Sequence, residues 1–284
     1  GAGKTTTMQM LTGNLAPHAG AIEINGVDLL ERPKEAKRSI GYLPEQPPVY
    51  AELSVDEYLE YCARLNRVPR KQVHAAREEA KARCGLADTG RRLIGNLSKG
   101  YKQRVGIAQA IIHKPAVVVL DEPTVGLDPI QIREIRALIA ELREAHSVIL
   151  SSHILPEIQA VCSRVQIIHH GRLVLSDTID GLGERMQSDS LIVGARNLPD
   201  VRMLAAIPEV TRVEQLDANR VRVIHQSGKS PAEHIAQCAV DGGWGLQELT
   251  PERKSLEEIF VDLVHSDEPA GEAQVERKPA EVAA

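Results

Sequence analysis

The first six residues, Gly1-Ala2-Gly3-Lys4-Thr5-Thr6, combine backbone freedom, a cation and two hydroxyls in the shortest possible space. Glycines let successive backbone N–H groups converge on an anion, and a following helix adds the positive partial charge of its N-terminus. In such a loop the Lys4 ammonium would neutralise β- and γ-phosphates and the Thr5 hydroxyl would ligate Mg2+. The residues form the back half of the phosphate-loop pattern G-x-x-x-x-G-K-[ST]. Alone, this half pattern also describes a Gly-rich turn before a helix. A second feature narrows the choice. The apolar run 117–120 leads directly into Asp121-Glu122-Pro123. Carboxylates at the carboxyl end of a buried strand sit where open α/β sheets bind ligands. Adjacent carboxylates there repel one another unless a cation neutralises them. Asp121 is therefore read as a Mg2+ residue acting through water, and Glu122 as the group that polarises an attacking water.

These residues need a framework, and the chain of 284 residues is long enough for one large domain or two modest ones. Hydrophobic residues make up 43% and aromatics only 2%, so a core must be built from Leu, Ile, Val and Ala. No apolar run reaches the roughly 20 residues of a membrane helix. A membrane role would need a separate membrane partner. The net charge of −5 lacks the basic excess of nucleic-acid binders, and no nucleic-acid partner is expected. The four cysteines are far apart, without C-x-x-C spacing, and read as reduced thiols. The chain begins with Gly1 inside a motif, which reads as the start of a fragment.

Strands alternate with helices over residues 1–175, the pattern of an α/β domain. Strands are expected at 21–25, 39–43, 116–120, 147–151 and 164–169, and Gly171–Leu175, with a turn at Gly171-Arg172, closes the domain. Helices are expected at 54–67, 71–84, 102–113, 129–145 and 156–162, the first opened by a Ser54/Glu57 capping box. Residues 176–188 are polar and contain Gly, and read as a linker. Residues 189–265 follow as a smaller accessory domain. Its strands are expected at 191–195, 210–216, 220–225 and 245–249, and its helices at 199–206, 231–241 and 255–265. The order β-α-β-β-α-β is that of a ferredoxin-like fold. Glu252-Arg253-Lys254 reads as a solvated turn, and residues 266–284, rich in Glu, Ala and Pro, as a disordered tail.

Between the two chemical motifs lies Leu97-Ser98-Lys99-Gly100-Tyr101-Lys102-Gln103-Arg104, at the opening of a helix. The order GKT, a glutamine after a strand, L-S-x-G, LDEP and then S-S-H resembles the ATP-binding subunits of ABC transporters, continuously from residue 1 to about 175. That resemblance implies a P-loop NTPase core, incomplete at its N-terminus, with a helical subdomain at about 51–108, and the hydrolysis of ATP. It implies that Gly1, Ala2, Gly3, Lys4, Thr5 and Thr6 cradle ATP, and that Thr5, Gln46 and Asp121 hold Mg2+. Glu122, His153 and Gln46 become the catalytic set, with Gln46 also coupling the site to an integral membrane transporter subunit. Ser98 and Gly100 would bind the γ-phosphate of ATP held by a second copy. Asp128, in Gly126-Leu127-Asp128, would join the two nucleotide sites. The implied location is the cytoplasmic face of the inner or plasma membrane, held there through the membrane subunit.

The signature departs from the common L-S-G-G-Q: Lys99 replaces its first glycine and Tyr101 its glutamine. Ser98 and Gly100 carry the phosphate contact and remain. LSKGYKQR with DPIQIREIR, and the final SLEEIFVDLV, resemble a bacterial exporter branch that includes gliding-motility-associated and multidrug-export ATPases. The strand and aromatic residue that stack on adenine in this family would lie upstream of Gly1. Two other readings stand beside transport. A non-transport ABC ATPase acting on DNA or ribosomes would carry coiled-coil insertions or two cassettes in one chain. A non-catalytic nucleotide sensor would not need Lys4, Asp121, Glu122 and His153 together.

Overall fold

A computed structural model describes residues 2–253. Gly1, the expected helix at 255–265 and the tail at 266–284 lie outside the described residues. The chain divides into two units, Gly1–Ser176 and Asp177–Ala284.

In the first unit, α1 (Lys4–Leu11) follows the phosphate loop directly. The expected strand at 21–25 is a small hairpin, β1 (Glu23–Ile24) with β2 (Val27–Asp28), turned by Asn25 and Gly26 at positive φ. One helical turn, α2 (Pro33–Ala36), leads into β3 (Ile40–Leu43). The helical subdomain holds α3 (Val55–Leu65) and α4 (Val73–Arg83). The Ser54/Glu57 capping box forms in full, satisfying orphan N–H groups at the start of α3. Next come α5 (Lys99–Ile111), β4 (Val117–Asp121), α6 (Pro129–Leu142), β5 (Ser147–Ser151) and α7 (Leu155–Val161). The hairpin β6 (Arg164–His169) and β7 (Arg172–Thr178) follows. Helix α5 starts three residues earlier than the sequence pattern suggests, because Ser98 caps it at Tyr101 N.

The sheet that positions the chemistry is parallel, in the order β3-β4-β5. Strand β4 lies in the middle, and Val118, Val119, Leu120 and Asp121 are all buried. This explains the unbroken apolar run, since a central parallel strand is covered on both faces. Helix α5 crosses β3 so closely that a methyl at Gly41 would overlap the carbonyl of Ala110. One core joins the sheet to the helical subdomain through Leu43, Leu59, Ile107, Leu120, Ile139 and Leu142.

Residues 176–188, expected as a linker, hold the end of β7, a helix and the start of a strand. Helix α8 (Ile179–Met186) begins where Thr178 Oγ1 accepts from Gly181 N, and its Leu182 is fully buried. Strand β8 (Gln187–Ala195) starts immediately after. Then come α9 (Val201–Ala205), β9 (Val210–Gln215), β10 (Arg220–His225), α10 (Ala232–Asp241) and β11 (Leu246–Arg253). The antiparallel sheet has the order β11-β8-β10-β9, the split βαβ arrangement of a ferredoxin-like fold. Its core is Leu191, Val193, Leu204, Val221, Val223 and Ile235, with Trp244. Glu252 is not in a solvated turn. It lies on β11, accepts Ser190 Oγ at 2.6 Å, and takes two guanidinium bonds from Arg222 at 2.7 Å. Those bonds, Arg222's first of all, hold the Glu252 carboxyl below its ordinary pKa. Lys254 lies outside the described residues.

Candidate functional site

The register of the parallel sheet brings the candidate residues to one edge. Leu43 pairs with Leu120, and Leu120 with Leu150. The loop holding Gln46 therefore leaves the sheet beside Asp121-Glu122, and His153 leaves it two residues beyond Ser151, the partner of Asp121. This is the carboxyl end of the strands, where ligands bind in open α/β sheets.

At the phosphate loop, Gly3 sits at φ 100° and ψ 5°, a conformation that glycine adopts readily. It caps α1, and Thr7 donates to Gly3 O through both N and Oγ1, each at 2.9 Å. Thr7 is thus committed to the helix start, whereas Thr5 and Thr6 are exposed and Lys4 is half-buried. Free N–H groups of the first turn and the ends of Lys4 and Thr5 form a ready anion site. Gly171 N donates to Ala2 O at 3.0 Å, so the β6–β7 turn braces the loop.

Asp121 is fully buried. Its Oδ1 accepts Ser151 Oγ at 2.5 Å, while its Oδ2 is buried with no hydrogen-bond partner. A buried carboxylate oxygen left without a partner is costly. The residue therefore fits a hydrated divalent cation at Oδ2. Glu122 has φ 48°, a left-handed conformation that costs a non-glycine residue about 1–3 kcal/mol. It is held there by its N–H, which reaches Ser151 O at 3.2 Å and Ser151 Oγ at 3.0 Å. The twist directs the carboxylate to His153, whose Nδ1 lies 3.0 Å from Glu122 Oε2. A tautomer that donates from Nδ1 to this carboxylate would leave Nε2 for a ligand. The His153 side chain is 60% exposed, as a residue that reaches a substrate must be.

Ser98 and Gly100 lie elsewhere. Ser98 Oγ accepts from Tyr101 N at 3.4 Å, Lys99 stretches its ammonium over the Gly126 backbone, and Gly100 faces the side chain of Gln131. The signature thus packs on the Gly126–Asp128 loop of its own chain. Asp128 Oδ1 accepts from Ile130 N and Gln131 N at 2.9 Å, so it caps α6. Gln46 is exposed.

The chain as a whole is similar to known proteins. A family model described as ABC transporter matches residues 1–125. The chain is 36% identical over 273 residues to the bacitracin transport ATP-binding protein BcrA of Bacillus licheniformis, covering 93% of this chain and 85% of that one. It is 37% identical over 193 residues to the ABC transporter ATP-binding protein NatA of Bacillus subtilis, covering 67% and 78%. The chain belongs to the ATP-binding subunits of ABC transporters. A solved structure of an ATP-binding subunit of an ABC transporter superposes with a TM-score of 0.58 at 31% identity, covering 65% of this chain and 77% of that one. This subunit binds ATP and hydrolyses it to drive transport through a membrane partner. Among the described residues, no helix is long and apolar enough to cross a membrane.

Lys4, Asp121, Glu122 and His153 stand out in the sequence as candidates, whereas the groups behind them do not. Ser151 is part of the S-S-H stretch, yet only the sheet shows that its hydroxyl serves both Asp121 and Glu122.

Proposed function

We propose that this subunit hydrolyses ATP in a head-to-tail sandwich of two copies and powers an exporter. The observation that carries the reading is the Asp121-Glu122 edge. Asp121 offers a buried, unpartnered Oδ2, and next to it Glu122 is twisted toward His153. Asp121 Oδ2, the Thr5 hydroxyl and Gln46 would hold Mg2+. When bound, the ion neutralises charge on the β- and γ-phosphates. Ala2, Gly3, Lys4, Thr5 and Thr6 bind the phosphates, together with Gly1 beyond the described residues. Glu122 accepts the proton of the attacking water, and His153 Nε2 faces the γ-phosphate.

Ser98 and Gly100 are directed to the γ-phosphate of the second copy's ATP. The packing of Lys99, between them, on Gly126 supports this, since it ties each signature to the loop that would meet the other site. Asp128 spends Oδ1 on capping α6, which leaves Oδ2 for contact across the dimer. Similarity to a bacitracin transport protein favours export, with the chain at the cytoplasmic face of the membrane. The accessory unit Asp177–Ala284 acts in regulation or dimer stability rather than catalysis.

The test is ATP-dependent association of a Glu122→Gln variant, which would bind ATP without turning it over. ATP with Mg2+ should convert monomer to dimer in light scattering, and a further Ser98→Arg substitution should abolish the conversion. A Glu122→Gln protein that binds ATP yet stays monomeric would overturn the sandwich.

A further inference from the structure

Behind the Glu122–His153 pair lies a carboxylate with no role in the scheme above. Glu157 is on the first turn of α7, only 4% exposed. Its Oε2 accepts Thr124 Oγ1 at 2.5 Å and Ser152 Oγ at 3.2 Å. Its Oε1 is buried without a hydrogen bond, and the nearest cation, Arg136 on α6, stands 3.7 Å away. Thr124 and Ser152 are themselves buried.

The positions of the two hydroxyls are informative. Thr124 lies two residues beyond Glu122, and Ser152 immediately precedes His153. One buried carboxylate oxygen therefore clasps the two segments that carry the hydrolytic pair, just after each leaves its strand. A carboxylate at a helix N-terminus gains from the helix dipole. That gain needs no burial, and it does not explain two hydroxyls from separate loops. An aliphatic residue would fill the space without the desolvation cost of a charge. Glutamine could accept only through its single carbonyl oxygen, which is enough for both hydroxyls.

We propose that Glu157 is a positioning residue for ATP hydrolysis, holding the Glu122 and His153 segments at the separation their 3.0 Å contact requires. It is buried behind the pair, so its loss should disturb the hydrolytic step and spare ATP binding. This inference rests on the assignment of Glu122 and His153 to hydrolysis.

The experiment measures steady-state kinetics, ATP affinity and thermal unfolding of the protein with Glu157→Leu, Glu157→Gln, Thr124→Val/Ser152→Ala, and the triple Thr124→Val/Ser152→Ala/Glu157→Leu. Glu122→Gln serves as the reference. Glu157→Leu should lower kcat on the order of 10- to 100-fold with an unchanged KM, the scale of a misplaced reacting group. Glu157→Gln should restore most of the rate. Thr124→Val/Ser152→Ala should reproduce the loss, and the triple variant should add nothing to it, because the three groups act as one unit. Should Glu157→Leu fail to fold, the hydroxyl double variant carries the test alone. A folded Glu157→Leu or double variant with wild-type kcat would overturn the proposal, as would additive losses in the triple. If Glu122→Gln itself turned over normally, the assignment of the catalytic pair would fail instead.

Discussion

Replacing Glu122 with glutamine separates chemistry from architecture at this site. The amide has the size of the carboxylate, and its carbonyl oxygen can still accept the His153 Nδ1–H that Oε2 accepts at 3.0 Å. The positive φ of residue 122 is held by the backbone N–H bonds to Ser151, which any side chain at 122 preserves. The side chain is 14% exposed, so most of its surroundings come from its own chain. Fold stability and ATP affinity should therefore stay near wild type. On the proposed role of Glu122, what disappears is the ability to take a proton from water. A positioned general base contributes about 10²–10⁴-fold to rate. That range corresponds to about 3–5.5 kcal/mol of transition-state stabilisation. Turnover in a coupled phosphate-release assay should fall by at least about 100-fold, with ATP binding by calorimetry unchanged. Turnover within about fivefold of wild type, with binding intact, would refute the assignment of Glu122 as the base.

Three further outcomes follow from the same structure. Tyr50 is 46% exposed and packs edge-on against Tyr58 and Tyr61, and we propose this aromatic surface as the docking site of the membrane subunit. Tyr50→Asp should spare ATPase activity of the isolated subunit but weaken co-purification with the membrane subunit and abolish transport, since it would bury an unpaired charge. Lys81 is 4% exposed and bonded to Asp56 at 2.6 Å and Glu78 at 3.1 Å. Asp56→Ala leaves that buried cation with one partner and should cost roughly 2–4 kcal/mol in urea denaturation, whereas pairing Asp56→Ala with Lys81→Met should recover most of it. Burial pushes the Cys62 thiol up to about 11 and the Cys84 thiol up to about 12. The reactive thiolate gains population only as pH approaches those values. At pH 8, therefore, iodoacetamide should leave both unlabelled in the native protein and label both in urea, as read by peptide mass spectrometry.

The candidate site residues were legible in the sequence because they sit in short local patterns. Gly3-Lys4-Thr5, the apolar run into Asp121-Glu122 and the S-S-H stretch each specify a loop or strand end by residues adjacent in the chain. Strands β6 and β10 fall at the predicted residues, because their alternation or continuous β-branched runs and flanking turns are local signals. Helix boundaries shifted where a side chain decided them. Ser98 moved the start of α5 to Lys99, and Thr178 with buried Leu182 made a helix of a stretch whose polar and Gly content reads as linker. Composition cannot report whether a single leucine finds a core to enter.

Only the tertiary structure decided how the patterns act on one another. The sequence by itself determined that a Gly-Lys-Thr turn, a carboxylate pair at a strand end and a histidine after a later strand exist. The parallel register of β3, β4 and β5 decided that Gln46, Asp121-Glu122 and His153 leave the sheet at one edge. That register depends on backbone hydrogen bonds between segments more than 70 residues apart in the case of β3 and β4, which no window of sequence contains. The same is true of the groups that hold the site in place. Ser151 reaches back 30 residues to Asp121, and Glu157 reaches 33 residues to Thr124. Such bonds follow from which side chains a shared core forces together, and the unpartnered Oδ2 of Asp121 is visible only once every other buried acceptor around it has been accounted for.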